Sequence, residues 1–374
     1  MASARINTID GARGLAMVFV MFSHFTESYL LLNNKPNLLF LTLKIGHIAS
    51  PMFMLISGTL LGYLYFMNRD NYSKIRKRYV DRGLFLIIVA HLLILISFMP
   101  LIFHFDKPLK VSFVTDSIGL NMIVVSIVMD KLSATKRFLS GIILLGISWL
   151  VILLGSPHNL LVSNIEELTF GVLHHRKFFD TFPFIPWLGI YLIGSVLGER
   201  LGNFITKNYL KKVYLLFLLS GLAAIVIAFP FYEMRKLLNL GDYLHYMFTY
   251  YQKNPPSIEY FLFYGGISLI ILSLMFILNN FAILKKIMKP FEIIGRSSLF
   301  VFVIQYYFYF FLLVFFPIPY TKLWPIIFII SLILVYYFST LWDKNGMNKY
   351  ITVLNLDVWR KLKLTNRVKS IDKQ

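Results

Sequence analysis

Residues 13–24 read RGLAMVFVMFSH, an arginine and a histidine separated by ten residues, almost all of them apolar. On an α-helix an eleven-residue step turns through about 1100°, three turns and roughly 20° more, and rises about 16 Å. Arg13 and His24 therefore share one helix face at two depths. The run around them is long and apolar enough to cross a bilayer. An ionisable side chain inside a membrane is costly unless it faces the protein interior or a watery cavity. Arg13 reads as an anion-binding group at the inner end of this first span, and His24 as a proton-handling group deeper in.

The rest of the chain has the composition such a span requires. Its 374 residues are 57% hydrophobic and 15% charged, with a mean hydropathy of +0.69. These values define an integral membrane protein and leave no room for a large soluble domain. With no cysteine, disulfides, thiolate nucleophiles and cysteine metal sites are excluded. The first apolar run continues past signal-peptide length, lacks a small-residue cleavage site and contains His24 and Glu27, so it reads as a retained span.

Hydropathy predicts an all-α polytopic fold of about ten transmembrane helices. They fall near 12–33, 43–66, 83–103, 112–130, 138–155, 183–199, 213–231, 258–279, 294–316 and 323–342. Thr8 or Asp10 is the expected cap of the first helix. Charge sets the orientation. Most of the 37 lysines and arginines lie at the N-terminus, in 68–82, 131–137, 199–212 and 285–296, and in the tail. This satisfies the positive-inside rule with both termini cytoplasmic. The same distribution accounts for the +19 net charge without nucleic acid. Residues 1–342 form the membrane domain, and 343–374 a basic cytoplasmic tail that is solvated or lies against lipid.

Several polar residues stand out within or beside the spans. Glu27 follows His24 by one turn and is close enough to orient its imidazole. An imidazole so placed is a general base for a hydroxyl, since it titrates near working pH. Asp10 precedes Arg13 by three residues and reads as its partner or as a cap. His47 either lines the outer side or packs between helices, Asp116 and Asn121 either line a cavity or mark a helix end, and His91 reads as structural. The segments 156–182 and 232–257 read as outer loops. Asp180 leads into the sixth span through Pro183 and Pro186, and Trp187 sits where interfacial aromatics are enriched. Gly194 and Gly198 form a small-xxx-small packing pair. Glu199 and Arg200 pair with each other or face the inner ligand. His174 and His175 in HHRK, without a carboxylate partner, make a weak metal signal, so no metal is expected.

Four stretches carry a family resemblance. TIDGARGLAMVFVMFSH (8–24) resembles the opening of the acyltransferase-3 family, whose signature is an Arg and a His separated by ten residues in the first helix. SPMFMLISGTLLG (50–62) resembles the second helix of that group. DTFPFIPWLGIYLIGSVLGERL (180–201) resembles the related heparan-glucosaminide N-acetyltransferase group, and FEIIGRSSLFVFVIQYYFYF (291–310) a late Gly-Arg-x-Ser-Leu helix common to both. The chain departs from these patterns in two places. Gln305 stands where the late helix often carries a histidine, and no histidine lies between Glu27 and Lys44, where the glucosaminide branch uses one. The departures favour a mode centred on His24.

The resemblance implies a cell-membrane acyltransferase of the transmembrane acyltransferase superfamily. Its donor is acetyl-coenzyme A or another acyl-CoA. Its acceptor is the hydroxyl of an envelope or exported carbohydrate or glycolipid. In this reading Arg13, Arg82 and Arg296 take the coenzyme phosphates, as guanidinium forks suit phosphate oxygens. His24 and Glu27 are catalytic, by direct base catalysis or through an acyl-histidine, and His47, Asp180 and Trp187 meet the acceptor. Lipids are obligatory neighbours, and the sequence is compatible with a homo-oligomer. A secondary transporter or flippase of a polar or lipid-linked substrate is the alternative, because ten spans with buried charge also suit transport. A non-catalytic scaffold would not need Arg13 and His24 on one face.

Overall fold

The computed structural model describes residues 6–105, 112–154, 160–171, 182–237, 253 and 256–354. The chain runs α1 (Asn7–Leu32), α2 (Pro36–Gly46), α3 (Ala49–Met67) and α4 (Tyr72–Phe85). A π-helical turn, Leu86–Ala90, joins α4 to α5 (His91–Phe105). Then come α6 (Val114–Val128), α7 (Ala134–Leu154), α8 (Leu160–Phe170), α9 (Phe184–Thr206), α10 (Leu210–Leu237) and α11 (Ile258–Leu278). The last three are α12 (Ala282–Arg296), α13 (Ser298–Phe315) and α14 (Trp324–Lys344). Among the described residues the fold is all-α, and nine helical stretches are long and apolar enough to cross a membrane.

The fourth expected span, 112–130, is the 15-residue α6 and is not among the nine. Its start is set by chemistry rather than hydropathy. The Asp116 carboxylate accepts the Phe113 N–H at 2.7 Å and lies 2.8 Å from His91 Nδ1, which closes the first turn at Val114. Other boundaries also differ, and the second and third spans extend over Pro36–Met67 and Arg69–Pro100. Helix α1 begins at Asn7 after an extended Ile6, so Thr8 and Asp10 lie inside its first turn and do not cap it. The ninth span starts at Ser298, because Ser297 breaks the helix and leaves Arg296 at the end of the separate α12. Within the expected outer loop 156–182 lies a helix, α8, whose Glu167 is buried.

In lipid, helices associate through close packing and interhelical hydrogen bonds rather than through exclusion from water. Two crossings here bring backbone onto backbone. A Cβ on Gly14 would stand 1.8 Å from the Phe291 carbonyl oxygen, and one on Gly295 would stand 1.8 Å from the Asp10 oxygen, so α1 and α12 meet with no room for a side chain. Between α3 and α9 the pattern repeats: a Cβ on Gly62 would fall 1.9 Å from the Ser195 oxygen, and one on Gly198 1.9 Å from the Thr59 oxygen. The small residues of 194–198 therefore do pack a helix, and that helix is α3.

At one end of the bundle an ionic clamp ties α7, α9 and the connection after α3. Arg137 is 1% exposed and donates to Ser195 Oγ (2.9 Å), to the Leu132 carbonyl (3.2 Å) and to Glu199. Glu199 also accepts from Arg69 at 2.7 Å. Its partners are thus Arg69 and Arg137, not the neighbouring Arg200, because α9 turns this face towards α7. At the same end α12 is amphipathic. Lys285, Lys286 and Lys289 are exposed on one side, Ile283 and Ile287 on another, while Glu292 to Gly295 are buried against the bundle.

The crossings give a direct stability test. Gly295→Ala is expected to destabilise the protein by about 1–3 kcal/mol or more, since the opposing atoms are backbone and cannot step aside. Gly146→Ala, whose Cβ would meet nothing within 4 Å, is expected to leave the unfolding temperature of the detergent-solubilised protein unchanged or raise it. Equal behaviour of the two variants would contradict this account of the packing.

Candidate functional site

One cavity of about 290 Å³ runs lengthwise through the bundle. Arg13, Arg82 and Arg296 line it at one end, together with Asn348 and Ile351 beyond α14. His24 lines it further along α1, with Val20 one turn below. Its other wall residues include Ser50 at the start of α3, Thr115 at the start of α6, and Phe182 and Lys253 before α9 and α11. The start of α3 lies level with Ser23, since a Cβ on Gly46 would stand 2.3 Å from Ser23 Oγ. The cavity therefore connects the arginine end of α1 with the end where α3, α6, α9 and α11 begin.

The arginine end is a cation cluster held by carboxylates outside the cavity wall. Arg13 lies 3.8 Å from Asp10. Arg296 donates from Nε and Nη2 to one Asp343 oxygen, at 2.9 and 2.7 Å. That carboxylate pushes the Arg296 pKa further up, so its charge is permanent. Phosphate and carboxylate ligands suit such forks, which offer several N–H donors in a plane. Arg82 lies in the last turn of α4, one turn after Tyr79, and Tyr79 is itself a buried wall residue.

His24 sits in an aromatic collar. Its ring centroid is 4.9 Å from Tyr306, 5.2 Å from Phe310 and 6.4 Å from Phe302, all on α13. Phe302 and Tyr306 also line the cavity, so its wall beside the imidazole is aromatic. Phe113 joins this collar, its ring 6.5 Å from Tyr306 and 5.1 Å from His91. Along α1 the imidazole lies about 16 Å from Arg13 by helix rise.

Glu27, His47 and Trp187 are not among the residues lining the cavity. Glu27, half-buried one turn beyond His24, is not part of its wall. His47 packs edge-on against Tyr260 and Tyr264, and its carbonyl accepts the Tyr260 hydroxyl at 3.0 Å. Trp187 is wholly buried rather than interfacial: Phe182 stacks on it at 5.5 Å and Phe261 meets it edge-on at 4.9 Å. It supports the cavity only indirectly, by backing the wall residue Phe182. Asp180, His174 and His175 lie outside the described residues. No cluster of three or more metal-ligating side chains occurs among the described residues.

Sequence reasoning missed four kinds of wall residue. Tyr79 had a signal, since it precedes Arg82 by three residues on one helix face. Tyr191 follows the noted Trp187 by one turn. Lys253, whose ammonium stands 4.7 Å from the Phe182 ring centroid, had none. Nor did the stretch after α14. That stretch folds back over the arginine end: Asn348 donates to the Arg296 carbonyl (3.0 Å), and Asp81 accepts the N–H groups of Val353 and Leu354 (2.7 Å each) and the Thr352 hydroxyl. The start of the basic tail is thus part of the site.

The molecule is thus a polytopic helical bundle whose internal cavity has arginines at one end and an aromatic-flanked histidine further along. The comparisons make the class specific. A family model described as heparan-alpha-glucosaminide N-acetyltransferase, catalytic, matches residues 5–220, more than half of the 374-residue chain. The chain belongs to this family, and so to a transmembrane acetyltransferase family of enzymes. The matched region contains Arg13, His24, Arg82 and Tyr191 and ends before Arg296. The acyltransferase-3 likeness remains one of motifs. No curated protein matches the chain.

The folded-back stretch after α14 is open to test. Asp81→Ala removes the acceptor for two backbone N–H groups and a hydroxyl, and is expected to release residues 352–354. Hydrogen exchange of Val353 and Leu354 should rise by about tenfold or more. Unchanged protection would show that Asp81 does not hold this segment.

Proposed function

We propose that this protein transfers an acetyl or similar acyl group from acyl-coenzyme A to a hydroxyl of a carbohydrate. The observation that carries the reading is that Arg13, Arg82, Arg296 and His24 line one cavity, with the cations at one end and the histidine about 16 Å along α1. The phosphates of the donor rest on the three guanidinium groups at the inner face. The uncharged pantetheine arm extends between the helices and brings the thioester to His24. The acceptor arrives from the opposite end, past Lys253 and Phe182.

In the transfer step the imidazole of His24 takes the acceptor O–H proton as the oxygen attacks the thioester carbonyl carbon. The carbon–sulfur bond breaks, and the coenzyme A thiolate leaves with the proton returned by the imidazolium. An acyl-histidine route uses the same residue as nucleophile. Tyr306, Phe302 and Phe310 limit water around the ring, which protects the thioester from hydrolysis.

The family match favours a second acceptor, because the family is named for N-acetylation. With an amino sugar the same geometry gives an amide. Transport without chemistry remains the competing activity, with ligand crossing the membrane unchanged.

Purified protein supplied with radiolabelled acetyl-CoA and envelope carbohydrate is expected to label the carbohydrate. His24→Ala should lower turnover by about a hundredfold or more while leaving thermal unfolding intact. Arg13→Gln, Arg82→Gln and Arg296→Gln should each weaken coenzyme A binding by about tenfold or more. Hydroxylamine would release the label from an ester and not from an amide, which separates the two acceptors. Undiminished turnover in His24→Ala would remove His24 from the mechanism. Ligand flux with no labelled product would replace transfer with transport.

A further inference from the structure

Four buried tyrosines of this protein have their hydroxyls bonded to protein groups. Tyr29 donates to the Pro319 carbonyl at 3.0 Å, Tyr72 to that of Ser126 at 2.8 Å and Tyr260 to that of His47 at 3.0 Å. Tyr309 shares a 2.8 Å bond with Ser331. Tyr191 differs from these four. It is 0% exposed, and its hydroxyl has no hydrogen-bond partner among the described residues. A buried hydroxyl left without a partner is destabilising, and natural structures keep few of them without cause.

The position of Tyr191 supplies the cause. The residue lines the cavity from α9. Its backbone is pinned against α3, where a Cβ on Gly58 would stand 2.3 Å from the Tyr191 carbonyl oxygen. Tyr191 shares that cavity with Arg13, Tyr79 and Arg82. Arginines already serve anionic oxygens there. A phenol on the same wall as the arginines and His24 matches a neutral acceptor, and the donor arm of an acyl-coenzyme A carries such acceptors, as two amide carbonyls and the thioester carbonyl.

We propose that the Tyr191 hydroxyl donates a hydrogen bond to a carbonyl oxygen of the acyl donor, in the stretch between the phosphate-binding arginines and His24. This inference rests on the acyl-coenzyme A reading above. It makes Tyr191 a substrate-binding residue that helps fix how far the donor reaches along the cavity.

Tyr191→Phe removes one oxygen and keeps the ring, so the fold is retained and thermal unfolding serves as the control. Binding of coenzyme A and of acetyl-CoA is measured by calorimetry, and kcat by label transfer. A partner on the arm amides predicts about tenfold weaker binding of both ligands with kcat little changed. A partner on the thioester oxygen, which gains charge in the transition state, predicts unchanged coenzyme A binding with kcat lowered by about tenfold or more. Binding and kcat both unchanged, in a variant tested beside an active wild type, would overturn the role of Tyr191 and leave the acyltransferase reading standing. A wild type that binds neither ligand would overturn both.

Discussion

The site depends on helices that touch backbone to backbone. Where α1 crosses α12, Gly14 faces Phe291 and Gly295 faces Asp10 at distances that admit no Cβ. Each glycine is the immediate neighbour of a cavity arginine, Gly14 of Arg13 and Gly295 of Arg296. The crossing therefore does two things together. It replaces the missing hydrophobic driving force between helices in lipid with dense packing, and it holds two guanidinium groups on one wall. Any side chain at either glycine would separate the helices and the cations with them.

Concentrating positive charge in this way is unfavourable until an anion arrives. Asp10 and Asp343 offset part of the cost by pairing with Arg13 and Arg296 from outside the wall. Removed from bulk water, the remaining charge interacts with a phosphate far more strongly than surface lysines would. Deeper in, the polarity falls, and His24 meets Phe302, Tyr306 and Phe310 rather than ions. A ligand that is anionic at one end and uncharged along its length fits this gradient. The segment after α14, held by Asp81 and Asn348, sits over the arginine end and so belongs to the same physical unit.

Much of this was legible in the sequence for identifiable reasons. Hydropathy located the spans, because twenty apolar residues admit little else. Helical periodicity put Arg13 and His24 on one face, and the basic clusters picked out Arg82 and Arg296. Periodicity on one helix has no information about which other helices supply the opposite wall. That is why Tyr191, Lys253 and Ile351 were missed. It is also why Trp187, correctly read as an aromatic near a helix end, turned out to face Phe261 instead of the membrane surface. Short polar interactions moved the boundaries that hydropathy could not see, as Asp116 does for α6 and Ser297 for α13. Glu199 was read by adjacency and found its partners across space, in Arg69 and Arg137.

The claim at the centre of this account is that one ligand spans the cavity from the arginines to the histidine. A cryo-electron microscopy structure of the protein with coenzyme A tests it most directly. The account predicts density with its phosphates on Arg13, Arg82 and Arg296 and its sulfur beside the His24 imidazole. Coenzyme A bound elsewhere, or seated with its sulfur remote from His24, would contradict it.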